Sequence, residues 1–214
     1  REDGYLPEAV INMLAFLGWN PGTEQEIFSL DGLVAAFELD RVHKAGAKFD
    51  PEKTKWFQHQ YLQGIDDTIL ASQFSEVLNE KGITTSLDVT KIVSLVKERA
   101  TFLSDLWGQS NFFFITPENY NKKASLKAFK PETPEILKAV IEILSSAEDF
   151  SETNISEKVK SWVVSKELGF GKVMMPLRLA LVGEMKGPDV FDIAAVLGKK
   201  EVIIRIENAI TKIG

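Results

Sequence analysis

Between Pro176 and Gly198 the chain places one arginine among apolar neighbours. Arg178 is flanked by Met174, Met175, Leu177, Leu179, Ala180, Leu181 and Val182, and a little further on Gly187-Pro188 breaks the chain before Val190-Phe191. A guanidinium is planar and carries five donors, while proline, valine and phenylalanine offer flat or apolar surface. Together these types can take a planar ring and reach its hydrogen-bonding edge. They can equally be packing, with Val190 and Phe191 in a core and Arg178 running its stem along a packed helix to put its head in water. Lys53 and Trp56 form a second pair. They lie three apart and share a face if helical, with core packing as the other reading of Trp56. Arg99, in "KERATFL", falls just off an apolar stripe, the ordinary place for an exposed arginine.

Chemistry of other kinds is harder to find. The chain has no cysteine, which excludes disulfides, thiolate zinc sites and thiol nucleophiles together. The two histidines, His43 and His59, are too few for a His-rich metal site, and no metal ligand set is expected. There is no G-x-S-x-G elbow. "GFGKV" (Gly169 to Val173) lacks the earlier glycine and the final Ser or Thr of a phosphate loop, so Gly169 reads as a helix stop. The adjacent pairs Asp66-Asp67 and Glu148-Asp149 diverge on a helix and read as caps or surface. His43 sits in the polar stretch "DRVHKAGAKFD" and reads as solvated. No catalytic constellation emerges.

The elements that must position these residues are helices. Pro7 suits a first helical position before Val10, Ile11, Leu14 and Leu17, with Gly18 ending the run. Ser29 can cap a short helix through Phe37, and Asp50-Pro51 opens another that carries Trp56, Phe57 and Tyr61. Ile65 to Glu80 reads as a helix stopped at Lys81-Gly82. From Ser86 onward Ile92, Val96, Ala100, Leu103 and Trp107 form one stripe, which predicts the longest helix of the chain. "NFFFIT" (Asn111 to Thr116) is too short to assign. Thr133-Pro134 reads as a cap and first turn, Ile155 to Val163 as another helix, and Gly198 as the stop of a helix begun at Pro188. Val202, Ile203, Ile206 and Ile210 close the chain on a last amphipathic helix. Period-2 alternation is never sustained, so the fold class is all-α, built of helical bundles. Joints at Gln63-Gly64 and around Phe129-Lys130-Pro131 divide the chain into 1–64, 65–130 and 131–214.

The totals fit a soluble chain with a real core: 44% hydrophobic and 26% charged residues. No apolar run is long enough to span a membrane, and the charged start has no signal-peptide character. The net charge of −6 argues by itself against nucleic acid. Locally the balance differs. From Ser165 to Arg205 seven Lys/Arg face five Asp/Glu, a net +2, which leaves −8 for the remainder.

Three long stretches, "PEAVINMLAFLGWNPG", "FDPEKTKWFQHQYL" and "PLRLALVGEMKGPDVFDIAAVLGKKEVIIRI", resemble in that order bacterial glutamyl-tRNA synthetases, over nearly the whole chain from Gly4 to Ile210. Neither the His-Ile-Gly-His-like nor the Lys-Met-Ser-Lys-like signature of that family's catalytic domain occurs here. The resemblance therefore implies the tRNA-binding C-terminal half: a stem-contact region at 1–64 and α-helical anticodon-binding subdomains at 65–130 and 131–214. It further implies that this segment alone neither charges tRNA nor uses a cofactor, ATP and Mg²⁺ belonging to the full-length ligase. The implied partner is tRNA(Glu), with no DNA or membrane, for a cytoplasmic monomer.

The resemblance also assigns residues. Arg178, Gly187, Pro188, Val190 and Phe191 match positions that approach the anticodon, whose unpaired bases can be splayed, stacked and read on their edges. Gly187 stands where some members carry a polar side chain, so a side-chain contact there is lost. Arg99 resembles the arginine associated with the third anticodon base, the feature separating tRNA(Glu) from tRNA(Gln). Lys53 and Trp56 resemble residues at the inner corner of the tRNA. His43 and Lys44 are candidate backbone contacts, although "HKAGAKFD" departs from the more usual Ser-rich sequence. The competing class is a helical protein-interaction module without RNA contact. RNA binding weakens steeply with salt as counterions are released, and an apolar interface does not.

Overall fold

A computed structural model describes residues 3–43 and 48–213. Lys44, one of the candidate contacts, lies outside the described residues. Among the described residues regular structure is helical throughout, apart from an isolated antiparallel bridge between Trp19 and Val42, so the all-α expectation holds. Contacts cluster into two compact units that interleave in sequence. One comprises the chain up to Gly82 together with Lys97–Gln109; the other comprises Ile83–Val96 and everything from Ser110 onward.

The first unit contains α1 (Pro7–Phe16), α2 (Leu30–Ala36), α3 (Pro51–Gly64) and α4 (Asp67–Glu80). Their starts follow from local chemistry. Pro7 opens α1, Ser29 Oγ accepts the Gly32 N–H, and the Asp50 carboxylate accepts those of Glu52 and Lys53. Ala9 and Met13 of α1 pack on Phe57 of α3, and Trp19, Phe28 and Leu33 form a neighbouring cluster. Asn12 is buried between them. Its Oδ1 accepts from the Phe28 N–H at 2.8 Å and from the Tyr61 hydroxyl at 2.7 Å, so one amide ties three segments together.

The long helix expected from Ser86 does not form. The chain makes α5 (Val89–Val96), a 3₁₀ turn at Lys97–Arg99, and then α6 (Asp105–Phe114), which absorbs the ambiguous "NFFFIT" stretch as far as Phe114. The stripe is real but α3 overrides it. Gln63 Nε2 donates to the carbonyl of Lys97 at 2.9 Å, His59 Nδ1 to that of Ala100 at 2.9 Å, and Gln58 Nε2 to that of Thr101 at 3.1 Å. Asp105 then accepts the amides of Thr101 and Phe102, both at 2.9 Å, and restarts the helix. Side chains satisfy the backbone that a continuous helix would have satisfied.

The second unit adds α7 (Lys122–Ala128), α8 (Thr133–Ser145), α9 (Glu152–Ser165), α10 (Phe170–Val182) and α11 (Val190–Ile213). Gly198 breaks α11 at φ 77° and ψ 157°, where the sequence placed a stop. Two punctuation readings change. Gly169 does not end α9. Glu167 takes the left-handed turn at φ 53°, the Leu168 N–H returns to the Val163 carbonyl, and Gly169 with φ −68° precedes α10. Thr133 is not a cap but the first residue of α8, its Oγ1 accepting the Lys130 N–H and donating to the Ala128 carbonyl.

Arg205 of α11 is 1% exposed. Its Nη1 donates to the carbonyls of Phe112 at 2.6 Å and Leu181 at 2.7 Å, and its Nε to Glu201 at 2.7 Å, whose carboxylate also accepts from Thr116. Burial lowers the Arg205 pKa against the opposing pull of Glu201. For Glu201, burial works upward, but the bonds from Arg205 and Thr116 outweigh it and hold the carboxyl below its ordinary value. Arg205→Ala is expected to destabilise the chain by about 3–5 kcal/mol in urea unfolding, because it leaves two carbonyls without their buried donor and the half-buried Glu201 carboxylate without its cation. The depressed Glu201 pKa gives a signed pH dependence. Its contribution is complete above the unfolded carboxyl value and is lost as pH falls through the lower folded value. The stability gap between the protein and Glu201→Gln should therefore close in acid, below about pH 4.

Candidate nucleic-acid interface

The lone arginine of α10 faces the turn that follows its own helix. α10 ends at Gly183, whose φ of 80° and near neighbours (a Cβ would lie 3.0 Å from Asn119 O and from Pro117 Cβ) leave no room for a side chain. The loop then runs to Pro188. Arg178 is half-buried and its Nη1 donates to the carbonyls of Lys186 at 2.9 Å and Pro188 at 2.7 Å, one on each side of Gly187. Gly187 has φ 95°, and a Cβ there would meet Phe112 Cζ at 3.1 Å and Ile193 Cδ1 at 3.4 Å. Arg178 is thus a clamp on a turn that glycine alone fits.

The neighbouring apolar residues differ from expectation. Pro188 is buried, Val190 is 3% exposed and Phe191 1%. They are core, so the flat surfaces that were to receive a ring are not presented. Asp189 Oδ1 accepts the Phe191 N–H at 2.8 Å and caps the start of α11, and Val190 and Phe191 pack into the interior of the unit, with Lys160 Nζ 5.5 Å from the Phe191 ring centroid. Asp192, on the same turn, has its pKa raised, first by burial and further by Glu152 and Asp189, against the pull of Lys91.

In the first unit Lys53 and Trp56 do share a face of α3. The ammonium lies 4.1 Å from the indole centroid and 2.6 Å from Glu26 Oε1. Trp56 is 36% exposed, with its ring edge-on to Phe57 at 5.0 Å. An indole lying open under a cation suits a ribose-phosphate surface, but Glu26 already occupies the ammonium. No sequence signal marked Glu26, because it lies in an irregular segment and acts only through the fold. His43 is exposed and its N–H donates to the Gly18 carbonyl at 2.7 Å. Arg99 is exposed at the end of the 3₁₀ turn rather than mid-helix. It belongs to the first unit, whereas Arg178 and its loop belong to the second. Among the described residues no group of three His, Asp or Glu is placed to hold a metal ion, and no helix is long and apolar enough to cross a membrane.

Residues 59–210, which include Arg99, Arg178 and the loop, match the family model described as an anticodon binding domain. The chain belongs to that family. Residues 1–56 match the model for the catalytic domain of class I tRNA synthetases (E and Q). Similar curated proteins include the glutamate–tRNA ligases of Flavobacterium johnsoniae, 56% identical over 99% of this chain and 42% of the relative, and of Flavobacterium psychrophilum, 57% identical over 98% and 42%. Crystal structures of a glutamate tRNA ligase from Elizabethkingia meningosepticum, in complex with its amino acid, and of glutamate-tRNA synthetase from Elizabethkingia anophelis superpose with TM-scores of 0.95 and 0.91. They are 48% and 47% identical, covering 100% and 99% of this chain and 43% and 42% of theirs. The chain spans less than half the length of these relatives and corresponds to a C-terminal half of a glutamate–tRNA ligase.

Burial of Phe191 makes a direct prediction. Phe191→Ala should lower unfolding stability by about 3–5 kcal/mol, the range for emptying a buried aromatic site, rather than leave the helical fold intact. A loss below about 1 kcal/mol in urea titration would contradict the placement of the ring.

Proposed function

We propose that this chain binds tRNA(Glu) and makes glutamate attachment depend on the anticodon, as the recognition half of a ligase whose catalytic half uses ATP and Mg²⁺. The observation that carries the reading is the anticodon-binding match over 59–210, which contains Arg178 and the loop it clamps. In this reading the base-facing elements are Arg178 and the half-buried Gly187 backbone, with Pro188, Val190 and Phe191 acting beneath them as the rigid bed of the loop. Arg99 discriminates the third anticodon base. Lys53 and Trp56 meet the tRNA corner, and His43 and Lys44 contact its backbone. The chain acts as a cytoplasmic monomer.

A clamped loop suits this task. Edge recognition of a splayed base requires donors and carbonyls already fixed in place, because ordering them on binding would consume the interaction energy. Two charge-assisted bonds from one guanidinium supply that order.

The test is binding of the chain to tRNA(Glu) at low and moderate salt, beside the same tRNA with its third anticodon base changed. Binding should weaken with salt and with the base change. Arg99→Gln should shrink the difference between the two tRNAs by about 1–3 kcal/mol, the usual size of one base contact. Arg178→Lys, which cannot hold both carbonyls in the same planar geometry, should weaken binding of both tRNAs by at least about tenfold, 1.4 kcal/mol. Salt-insensitive binding, or none by a folded chain, would favour a protein-interaction module instead.

A further inference from the structure

We infer that α7 and the residues around it form a second RNA contact, which neutralises backbone phosphates of the tRNA while the clamped loop meets the anticodon; this rests on the tRNA-binding reading above. The loop is itself short of positive charge. Between Gly183 and Asp192 three carboxylates, Glu184, Asp189 and Asp192, stand against Lys186, whose ammonium lies 3.3 Å from Glu184. A surface of that sign does not draw a polyanion, so the phosphates flanking a bound anticodon need cations from elsewhere.

α7 supplies them. Between Asn119 and Pro131 the chain carries Lys122, Lys123, Lys127 and Lys130 and no acidic residue, in a protein of net charge −6. All four lysines are exposed. The helix is turned that way by its own pattern, because Ala124 and Ala128 are buried against Leu179 of α10. Beside the lysines lies a hollow of about 800 Å³ lined by Tyr120, Leu126, Phe129, Lys130 and Lys212, with one carboxylate residue, Glu118, whose backbone carbonyl accepts from Lys212. Tyr120 and Phe129 meet edge-on at 5.5 Å, and Lys212 Nζ lies 5.5 Å from the Tyr120 ring centroid. Lysines around apolar and aromatic walls form the pattern that accepts a sugar-phosphate strand. A second hollow of about 530 Å³ shares Lys130 and adds Lys127 and Lys172. Lys172 pairs with Glu132 at 3.6 Å, both ends more than half exposed or nearly so, a contact that a phosphate can displace.

The lysine helix and the loop are mechanically joined. The Asn121 N–H, at the cap of α7, donates to the Gly183 carbonyl at 2.8 Å, where the loop leaves α10. An RNA held by α7 is thereby held in fixed register with the loop that Arg178 clamps.

The experiment compares this chain with a variant carrying Lys122→Gln, Lys123→Gln, Lys127→Gln and Lys130→Gln, and with a control carrying Lys138→Gln and Lys158→Gln on exposed positions of α8 and α9. Dissociation constants for tRNA(Glu) are measured between about 50 and 200 mM salt, with melting curves to confirm folding. The α7 variant should melt like the parent, bind at least tenfold more weakly at the lower salt, and lose about three units of log–log salt slope. Phosphate protection on the tRNA should disappear at positions different from those lost in Arg178→Lys. The inference is overturned if the α7 variant keeps its slope, in which case the lysines serve another ligand such as an acidic protein. It is also overturned if the control loses as much slope for each lysine removed, which would mean diffuse attraction only. Failure of the unaltered chain to bind tRNA overturns the underlying reading with it, an outcome distinct from either.

Discussion

The second unit is organised around one buried cation. Arg205 puts a guanidinium where water cannot reach it, and a lone charge there would be prohibitively unfavourable. It is tolerated because three acceptors converge on it: the Phe112 carbonyl of α6, the Leu181 carbonyl near the end of α10, and Glu201 one turn back on α11. Helix C-terminal carbonyls lack intrahelical partners, so Arg205 satisfies groups that would otherwise need solvent. The bond to Leu181 also holds the last turn of α10, which stops where Gly183 turns left-handed with its N–H on the Leu179 carbonyl. That stop, at Gly183, is where the loop clamped by Arg178 begins and where α7 is attached. The position of the loop therefore descends from a residue well away from it in sequence.

A second arginine repeats the device at smaller scale. Arg178 spends donors on two carbonyls of an irregular turn instead of on helix ends, and remains half-buried so that the turn stays near the surface. Both arginines act on backbone oxygen. Lysine, a point donor on a flexible stem, could not span either pair.

What could be read from the sequence was local. Pro7, Ser29, Asp50 and Gly198 act within a few residues of themselves, and their roles follow from their own backbone preferences. The all-α class and the family resemblance were legible for the same reason, since both are carried by contiguous stretches. What failed depended on partners distant in the chain. The stripe from Ile92 to Trp107 gave no warning that Gln58, His59 and Gln63 would take its carbonyls. Val190 and Phe191 have the composition of either a core or a stacking surface, and burial alone separates the two. Nothing local to Arg205 or Glu26 marks the partners they take, Phe112 and Leu181 for the one and Lys53 for the other. The grouping of the chain into two interleaved units likewise rests on contacts between stretches distant in sequence.

Phe112 connects these observations. Its carbonyl receives Arg205, and its ring is the nearest neighbour of the space where Gly187 lacks a side chain. The residue is shared between the support of the bundle and the shape of the turn, so neither can drift independently over evolutionary time. A smaller residue at 112 would open space beside the turn, and any backbone shift that followed would pull a carbonyl away from the buried guanidinium. Positions 112, 187 and 205 should therefore vary as a linked set among descendants of this sequence, although 112 and 205 lie far apart along the chain.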